Sequence, residues 1–258
     1  KPKIIGFGFT ATIYLVIIMT YAVLKFTFNK ITSYEQNMIF TDKLPSLVSL
    51  PALFIILFVI QLFINLNNLK ETCGGNVSSK TPLVTAATSM FFIFGGIIIA
   101  LAMNESWKSP FGNTFGYVFA GRFAGASTQD VTYDLIEVLK KSNRKPKEIE
   151  TLDRLLTDHT LLINEITPSK FNDYINTLNV NVKTAQDTLV KLYNIILAKD
   201  IISELIWYFL TMILVTTLNS NKIMSVKCQH DEKKLLDAMK EIEIEEAKED
   251  EDEEDIEL

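Results

Sequence analysis

The sequence predicts an all-α fold: a polytopic helical membrane protein with three to four spans, a small soluble helical domain and an acidic C-terminal tail. Uncharged apolar runs recur along the N-terminal part of the chain, and each has about the twenty residues that a helix needs to cross the hydrocarbon core. The mean hydropathy is positive, at +0.21, although 22% of the residues are charged. Apolar and charged residues are therefore segregated into blocks rather than mixed around one core.

The first three spans are expected within residues 1–103, at 4–24, 45–66 and 83–103. In the second span, Pro51 either kinks the helix or occupies the first position of a helix that Ser49 caps. Gln61 and Asn65 lie near the far end of that span. Because lipid offers no hydrogen-bond partners, we expect these two amides to bond to a neighbouring helix.

The third span contains two small residues, Gly96 and Ala100, four positions apart. Pro82, just before the span, suits the first turn of a helix. Small residues at this spacing let two helix backbones approach closely, so the pair predicts that the third span packs inside the bundle.

Residues 104–126 form an aromatic and glycine-rich segment that follows the third span. Side chains four residues apart share a helix face, and two rows at this spacing run through the segment. The rows are Phe111, Phe115, Phe119 and Phe123, and beside them Gly112, Gly116, Ala120 and Ala124. Trp107 stands where an interfacial aromatic anchor is expected. We predict a helix in the membrane interface, with a Phe-rich helix buried under the following domain as the alternative.

Residues 127–200 are predicted to be a soluble helical domain, since apolar residues recur there at helical spacing. Such a short stretch forms a marginal core alone, so it is expected to lean on the membrane, on the Phe row or on a partner. Residues 201–218 are predicted to be a fourth span, with a buried helix of the soluble domain as the alternative. Glu204 is expected to reach the interface rather than act in a proton relay, and Trp207 is placed as a second aromatic anchor.

Residues 219–258 form a tail whose end is almost purely acidic. Such runs are solvated and self-repelling, so the expected role of this end is salt-sensitive charge pairing with a partner. The residues assigned to partner docking are Glu249, Asp250, Glu251, Asp252, Glu253, Glu254 and Asp255.

Four spans place the N-terminus, the loop after the second span and the acidic tail on one side of the membrane. The loop at 25–44 and the soluble helices then lie on the other side. The two cysteines, Cys73 and Cys228, fall on the same side. Two cysteines make neither a disulfide framework nor a metal site, so two free thiols are expected, with pairing of the two as the alternative.

The sequence argues against catalysis, cofactor binding and nucleic-acid binding. The two histidines, His159 and His230, are expected on opposite sides of the membrane, so they share no site. The chain has no phosphate-binding loop, nucleophile elbow or paired-histidine zinc motif, and its lysines form no basic stripe. We therefore predict that the chain is not an enzyme and holds no cofactor or metal ion.

A transporter or channel is the alternative to a structural role. Such a protein would need a polar path, and the polar span residues that could line it are Gln61, Asn65, Thr85, Thr88 and Ser89. Against this class, the spans lack charge and no inverted repeat is evident.

Two short segments and a loop carry a resemblance to a known group of proteins. The first segment follows the third span and contains Trp107, Pro110, Asn113, Thr114, Gly116 and Tyr117. The second is Asn-Glu-Ile-Thr-Pro at 164–168 with Phe171 after it, and the loop is Cys73-Gly74-Gly75. These residues resemble membrane proteins of nucleocytoplasmic large DNA viruses, the chloroviruses in particular. The resemblance implies a minor capsid protein in the internal membrane of the virion, whose partners are the lipid bilayer and capsid or other virion proteins. Self-association stays open.

Overall fold

The computed structural model describes residues 6–35, 43, 45, 49–73, 80–140, 158, 160–178, 180–226 and 239–240. Within these ranges all regular secondary structure is helical. The helices are α1 (Phe7–Asn29), α2 (Leu50–Cys73), α3 (Lys80–Met103), α4 (109–124), α5 (Thr128–Lys140), α6 (Leu161–Asn164), α7 (Phe171–Thr177) and α8 (Val182–Met224). Short 3₁₀ turns at Glu105–Lys108 and Pro168–Lys170 precede α4 and α7.

Four of these helices, α1, α2, α3 and α8, are long and apolar enough to cross a membrane. The prediction of an all-α, polytopic helical fold is therefore confirmed. Large apolar side chains cover the outward faces of α1, α2 and α3, among them Phe9, Val59, Phe63, Phe92 and Met103. These faces suit contact with hydrocarbon, as expected of an integral membrane protein.

Pro51 lies in the first turn of α2 rather than kinking it. The helix starts at Leu50, and the carbonyl of Ser49 accepts the backbone N–H of Leu53 at 3.0 Å. Proline suits the first turn because its missing N–H would have no helical partner there. Of the two alternatives for Pro51, the structure therefore shows the helix start.

The longest helix, α8, runs through the whole molecule. It has 43 residues, which is about 65 Å at about 1.5 Å per residue. The side chain of Asn181 caps its start by accepting the N–H of Lys183 at 3.2 Å. The boundary predicted between residues 200 and 201 lies inside this helix, so its second half packs among the long helices and its first half packs against α5 and the segment 160–178.

Contacts between the long helices give their directions. Tyr14 contacts Gln61, and Asn65 contacts Asn219, while at the other end of α1, Lys25 contacts Glu204. Consequently α1 and α3 run opposite to α2 and α8. The starts of α1 and α3 and the ends of α2 and α8 share one side of the bundle. The arrangement of sides inferred from the sequence agrees with these contacts.

Two hydrophobic cores follow from this arrangement. One lies among the long helices, and its fully buried members include Ile18, Leu57, Met90, Phe94 and Met212. The other lies between the first half of α8, helix α5 and the segment 160–178, and includes Leu135, Leu139, Phe171, Leu189 and Ile196. We call the second region, residues 109–140, 160–178 and 182–200, the platform.

The predicted role of Gly96 in bundle packing is wrong. A Cβ placed on Gly96 meets no atom within 4 Å, so Gly96 does not bring two backbones together within the chain. The face of α3 that enters the core instead carries Met90, Phe94 and Leu101. These larger side chains fill the space between helices, which leaves the small residue on the outer surface.

Cys73, at the end of α2, is disulfide-bonded, so the prediction of a free thiol is wrong for this residue. The other cysteine of the chain, Cys228, lies outside the described residues. Because α2 and α8 run in the same direction, the end of α2 lies on the side where the chain leaves α8.

Candidate functional site

Hydrogen bonds between buried side chains join all four long helices. The hydroxyl of Tyr14 on α1 donates to Gln61 Oε1 on α2 at 2.7 Å, and Gln61 Nε2 donates to Asn65 Oδ1 at 2.8 Å. Asn65 Nδ2 donates to Asn219 Oδ1 on α8 at 2.7 Å, and Asn219 Nδ2 donates to Ser89 Oγ on α3 at 2.6 Å. The predicted bonding of the two α2 amides to neighbouring helices is confirmed.

This polar network fixes how the long helices are rotated against one another. An amide in an apolar interior costs free energy unless its donors and acceptors are paired. Rotation of any one helix about its axis would break at least one of these hydrogen bonds. The observed rotation of the helices therefore has a lower free energy than slightly different rotations. The amides of Gln61 and Asn65 are thus engaged in contacts between helices.

Four charged side chains meet at the platform end of the bundle. Lys25 Nζ lies 2.6 Å from Glu204 Oε2. Lys108 Nζ lies 2.7 Å from Glu204 Oε1 and 2.8 Å from Asp200 Oδ2. The two positive and two negative charges balance, and no side chain of the four is more than 16% exposed. The charge cluster, Lys25, Lys108, Asp200 and Glu204, ties α1 and the turn before α4 to α8.

The neighbouring carboxylates keep Lys108 charged. Burial by itself lowers the pKa of Lys108, but the charges of Glu204 and Asp200 outweigh this effect and hold the pKa above its ordinary value. Glu204 is buried in this cluster and pairs with both lysines. Because α8 continues unbroken at this level, it presents Glu204 to two lysines inside the protein.

Aromatic side chains lie at the same level as the charge cluster. The rings of Trp107 and Trp207 have centroids 6.3 Å apart, and Trp207 Nε1 donates to the backbone oxygen of Trp107 at 2.8 Å. Phe111 packs edge-on against Trp207 with centroids 5.1 Å apart. Tryptophan is enriched where the hydrocarbon core meets the headgroups, so this trio is of the kind that membrane proteins carry near that boundary.

The small-residue row of α4 packs against α8. Gly112, Gly116 and Ala120 are buried. A Cβ on Gly116 would lie 3.0 Å from both Cγ and the backbone oxygen of Lys199, whereas a Cβ on Gly112 would meet its nearest atom, on Ser203, at 3.8 Å. The two helices therefore approach most closely at Gly116, where only glycine fits without displacing a neighbour.

The Phe row of α4 divides into packed and outward-facing members. Phe111 and Phe123 are half-buried, and Phe123 packs edge-on against Phe26 of α1 with centroids 5.1 Å apart. Phe115 and Phe119 are 53% and 47% exposed. Helix α4 therefore combines features of both alternatives, because its small residues are packed and part of its Phe row faces outward.

Lys199 fastens the segment after α6 to α8. Its buried Nζ donates to the backbone oxygens of Ile163 at 2.6 Å, Ile166 at 3.3 Å and Asn164 at 3.4 Å. The last carbonyls of a helix have no partner within the helix, and a cation there is favourable. One buried ammonium group thus satisfies several carbonyls and holds the platform together.

The predicted site residues are only partly brought together. Trp107, Phe111 and Trp207 meet, and Gly112 and Gly116 line the contact between α4 and α8. The acidic residues assigned to partner docking, Glu249 to Asp255, lie outside the described residues.

Sequence reasoning missed the charge cluster and Lys199. A signal for part of it was present, since Asp200 and Glu204 stand four residues apart at the start of an apolar run. Their partners Lys25 and Lys108 are 179 and 96 residues away from Glu204. Charges next to spans usually reach water, so sequence alone gave no reason to pair them.

Comparison with known proteins gives no relative. No family model, no curated protein and no solved structure matches the chain. Among the described residues, no group of three or more His, Cys, Asp or Glu side chains is placed to hold a metal ion. The interpretation of the site therefore rests on its own geometry.

Proposed function

We propose that the chain is an integral membrane protein with a structural, non-enzymatic role, which anchors the platform to one face of a bilayer. The observation that carries this proposal is the polar network among α1, α2, α3 and α8. Its side chains bond to one another across helices, which favours one fixed arrangement of the bundle. A rigid bundle suits an anchor.

The junction between bundle and platform supports the same role. The charge cluster, the contact of Gly116 with Lys199 and the aromatic trio all lie where α8 passes from one region into the other. Together they join α1, the turn before α4 and α4 itself to α8. The platform is therefore held at a set height and angle relative to the long helices, as a protein that links a bilayer to another layer requires.

The resemblance to virion membrane proteins supplies the finer proposal. In it, the bilayer is the internal membrane of a large DNA virus, and the platform or the acidic tail docks to capsid or other virion proteins. The acidic tail would act through salt-sensitive pairing with basic groups. Deletion from Glu241 onward tests that part, and unchanged assembly at every salt concentration would count against docking by the tail.

The second candidate is a transporter or channel, because the polar network crosses the bundle from Tyr14 to Ser89. A conducting path needs polar groups that exchange partners with the transported species. Here the amides of Gln61 and Asn65 are engaged with neighbouring helices. This engagement favours the anchor over the transporter.

Location and conductance decide between the two functions. Mass spectrometry of purified particles gives the copy number of the chain, and cryo-electron microscopy gives its position. The structural proposal expects the chain at the membrane, with the platform toward the shell, and expects liposomes that contain it to stay tight to ions. Absence from particles together with ion flux through such liposomes would overturn it.

A further inference from the structure

A pocket of about 200 Å³ lies beside the charge cluster. It is bounded by α1, by α8, by the turn at Glu105–Lys108 and by the turn at Pro168–Lys170. Its charged and aromatic lining consists of Lys25, Glu105, Lys108, Tyr193, Asp200 and Glu204. The pocket thus presents two ammonium groups and three carboxylates to one small volume.

Hydrogen-bonding capacity remains in this lining. Lys25 donates one of its three N–H groups, to Glu204, and Lys108 donates two, to Glu204 and Asp200. Asp200 accepts through Oδ2 alone, so its Oδ1 has no hydrogen-bond partner among the described residues. Spare donors and a spare acceptor, on side chains that are largely buried, are the groups that a bound polar molecule would satisfy.

The mixture of charges selects the class of molecule. A simple anion near Lys25 would also face Glu204 and Glu105, and a simple cation near Asp200 would also face Lys108. A zwitterion avoids both conflicts, because its anionic end reaches the spare lysine N–H groups while its cationic end reaches the carboxylates. The pocket is therefore matched to a zwitterion, a molecule that carries one anionic and one cationic group.

The pocket lies where two of the apolar helical runs end, which is where lipid headgroups are expected. Lys25 follows an apolar run that ends at Leu24, and Lys108 comes five residues after the end of α3 at Met103. The aromatic trio lies at the same level. Beside the pocket, α1 and α2 leave an apolar groove of about 320 Å³, whose α1 side ends at Tyr21 and Leu24, next to Lys25. An acyl chain fits the chemistry of that groove.

We propose that this pocket binds the headgroup of a zwitterionic phospholipid, with the phosphate at Lys25 and Lys108 and the ammonium at Asp200 and Glu105, and with an acyl chain along the groove between α1 and α2. The inference rests on the membrane insertion in the proposed function. A bound lipid at this position links α1, α8 and the platform, so lipid composition sets how firmly the platform is held.

The test measures thermal unfolding of the full chain in detergent, followed by tryptophan fluorescence, with added short-chain lipids. The lipids are phosphatidylethanolamine, phosphatidylglycerol and diacylglycerol with the same acyl chains, and free phosphoethanolamine serves as a headgroup without a chain. We expect phosphatidylethanolamine to raise the melting temperature at the lowest concentration. Equal effects of all three lipids, or a stronger effect of phosphatidylglycerol, would overturn the proposal. An equal effect of free phosphoethanolamine would also overturn it, by showing that the pocket takes a soluble molecule.

Variants locate the effect in the pocket. Lys25→Met and Glu105→Gln each remove one charged contact, so each is expected to raise the half-saturating phosphatidylethanolamine concentration about tenfold. Glu105 lies at the edge of the pocket, so its variant keeps the test valid if Lys25→Met does not fold. Matched controls are Lys191→Met and Asp187→Asn, which break an exposed ion pair on α8 away from the pocket. Equal shifts in control and pocket variants would refute the site.

The same preparation separates two kinds of failure. If the chain does not incorporate into liposomes, the proposed function fails along with this inference. If the chain incorporates but shows no preference among headgroups, the headgroup site alone is refuted and the anchoring role stands.

Discussion

Replacing Gly116 by alanine adds one carbon atom at the closest approach of α4 and α8. That Cβ would lie 3.0 Å from Cγ and from the backbone oxygen of Lys199, and 3.3 Å from the backbone oxygen of Phe111. The Lys199 oxygen belongs to the backbone of α8, so the two helices themselves must move apart. Overpacking of this kind costs about 1–3 kcal/mol. Alanine also favours a helix over glycine by about 1 kcal/mol, which offsets part of the cost.

Gly112→Ala is the matched control, because it lies four residues earlier on the same face and its Cβ would meet no atom closer than 3.8 Å. It receives the same gain in helix propensity without the clash. The difference in unfolding free energy between the two variants is therefore about 1–3 kcal/mol, with Gly116→Ala the less stable. Denaturant unfolding in detergent measures this difference, and hydrogen exchange in the segment at 160–178 reports loosening of the platform. Equal stability within about 0.5 kcal/mol would refute the close approach.

Three further predictions concern buried polar groups. Glu204→Gln leaves two buried lysines with one remaining carboxylate and is expected to lower the unfolding free energy by about 3–5 kcal/mol. Adding Lys25→Met should recover part of that loss in a double-mutant cycle. Additive effects of the two substitutions would contradict the pairing. Asn219→Leu breaks two links between helices and should cost about 1–3 kcal/mol in urea unfolding, against a negligible change for the exposed Leu218→Ala. The raised pKa of Lys108 means that its contribution to stability is fully present below pH 10.5 and is lost as the pH rises through the folded value. The stability difference between wild type and Lys108→Met should therefore be constant from neutral pH up to pH 10.5 and shrink above it, and a difference that already falls between neutral pH and pH 10.5 would contradict the assignment.

The sequence was sufficient to predict the helices and part of the hydrogen bonding between them. Uncharged runs of spanning length predicted α1, α2 and α3, because in lipid only a regular helix satisfies the backbone. The amides of Gln61 and Asn65 predicted a contact between helices, because lipid offers an amide no hydrogen-bond partner. Their partner Asn219 is 154 residues from Asn65, and no periodicity within a segment identifies a partner at that distance.

Other features depended on information that local patterns do not contain. Gly96 has the spacing of a packing residue, but the side chains of Met90 and Phe94 occupy the core side of α3. The division at residue 200 followed a change in composition, whereas helix continuity depends on the packing of both halves of α8. The pairing of Glu204 with Lys25 and Lys108 exists only once three elements are in place, which makes it a property of the tertiary structure.

The composition of α8 has a mechanical consequence. Between Val182 and Met224 the helix contains neither proline nor glycine, and sharp kinks in helices arise mainly at such residues or at interruptions of the hydrogen-bond ladder. The helix therefore contains no residue at which a hinge between its two ends is expected. A displacement of the platform end of α8 is therefore transmitted along the helix to the end that packs among the long helices.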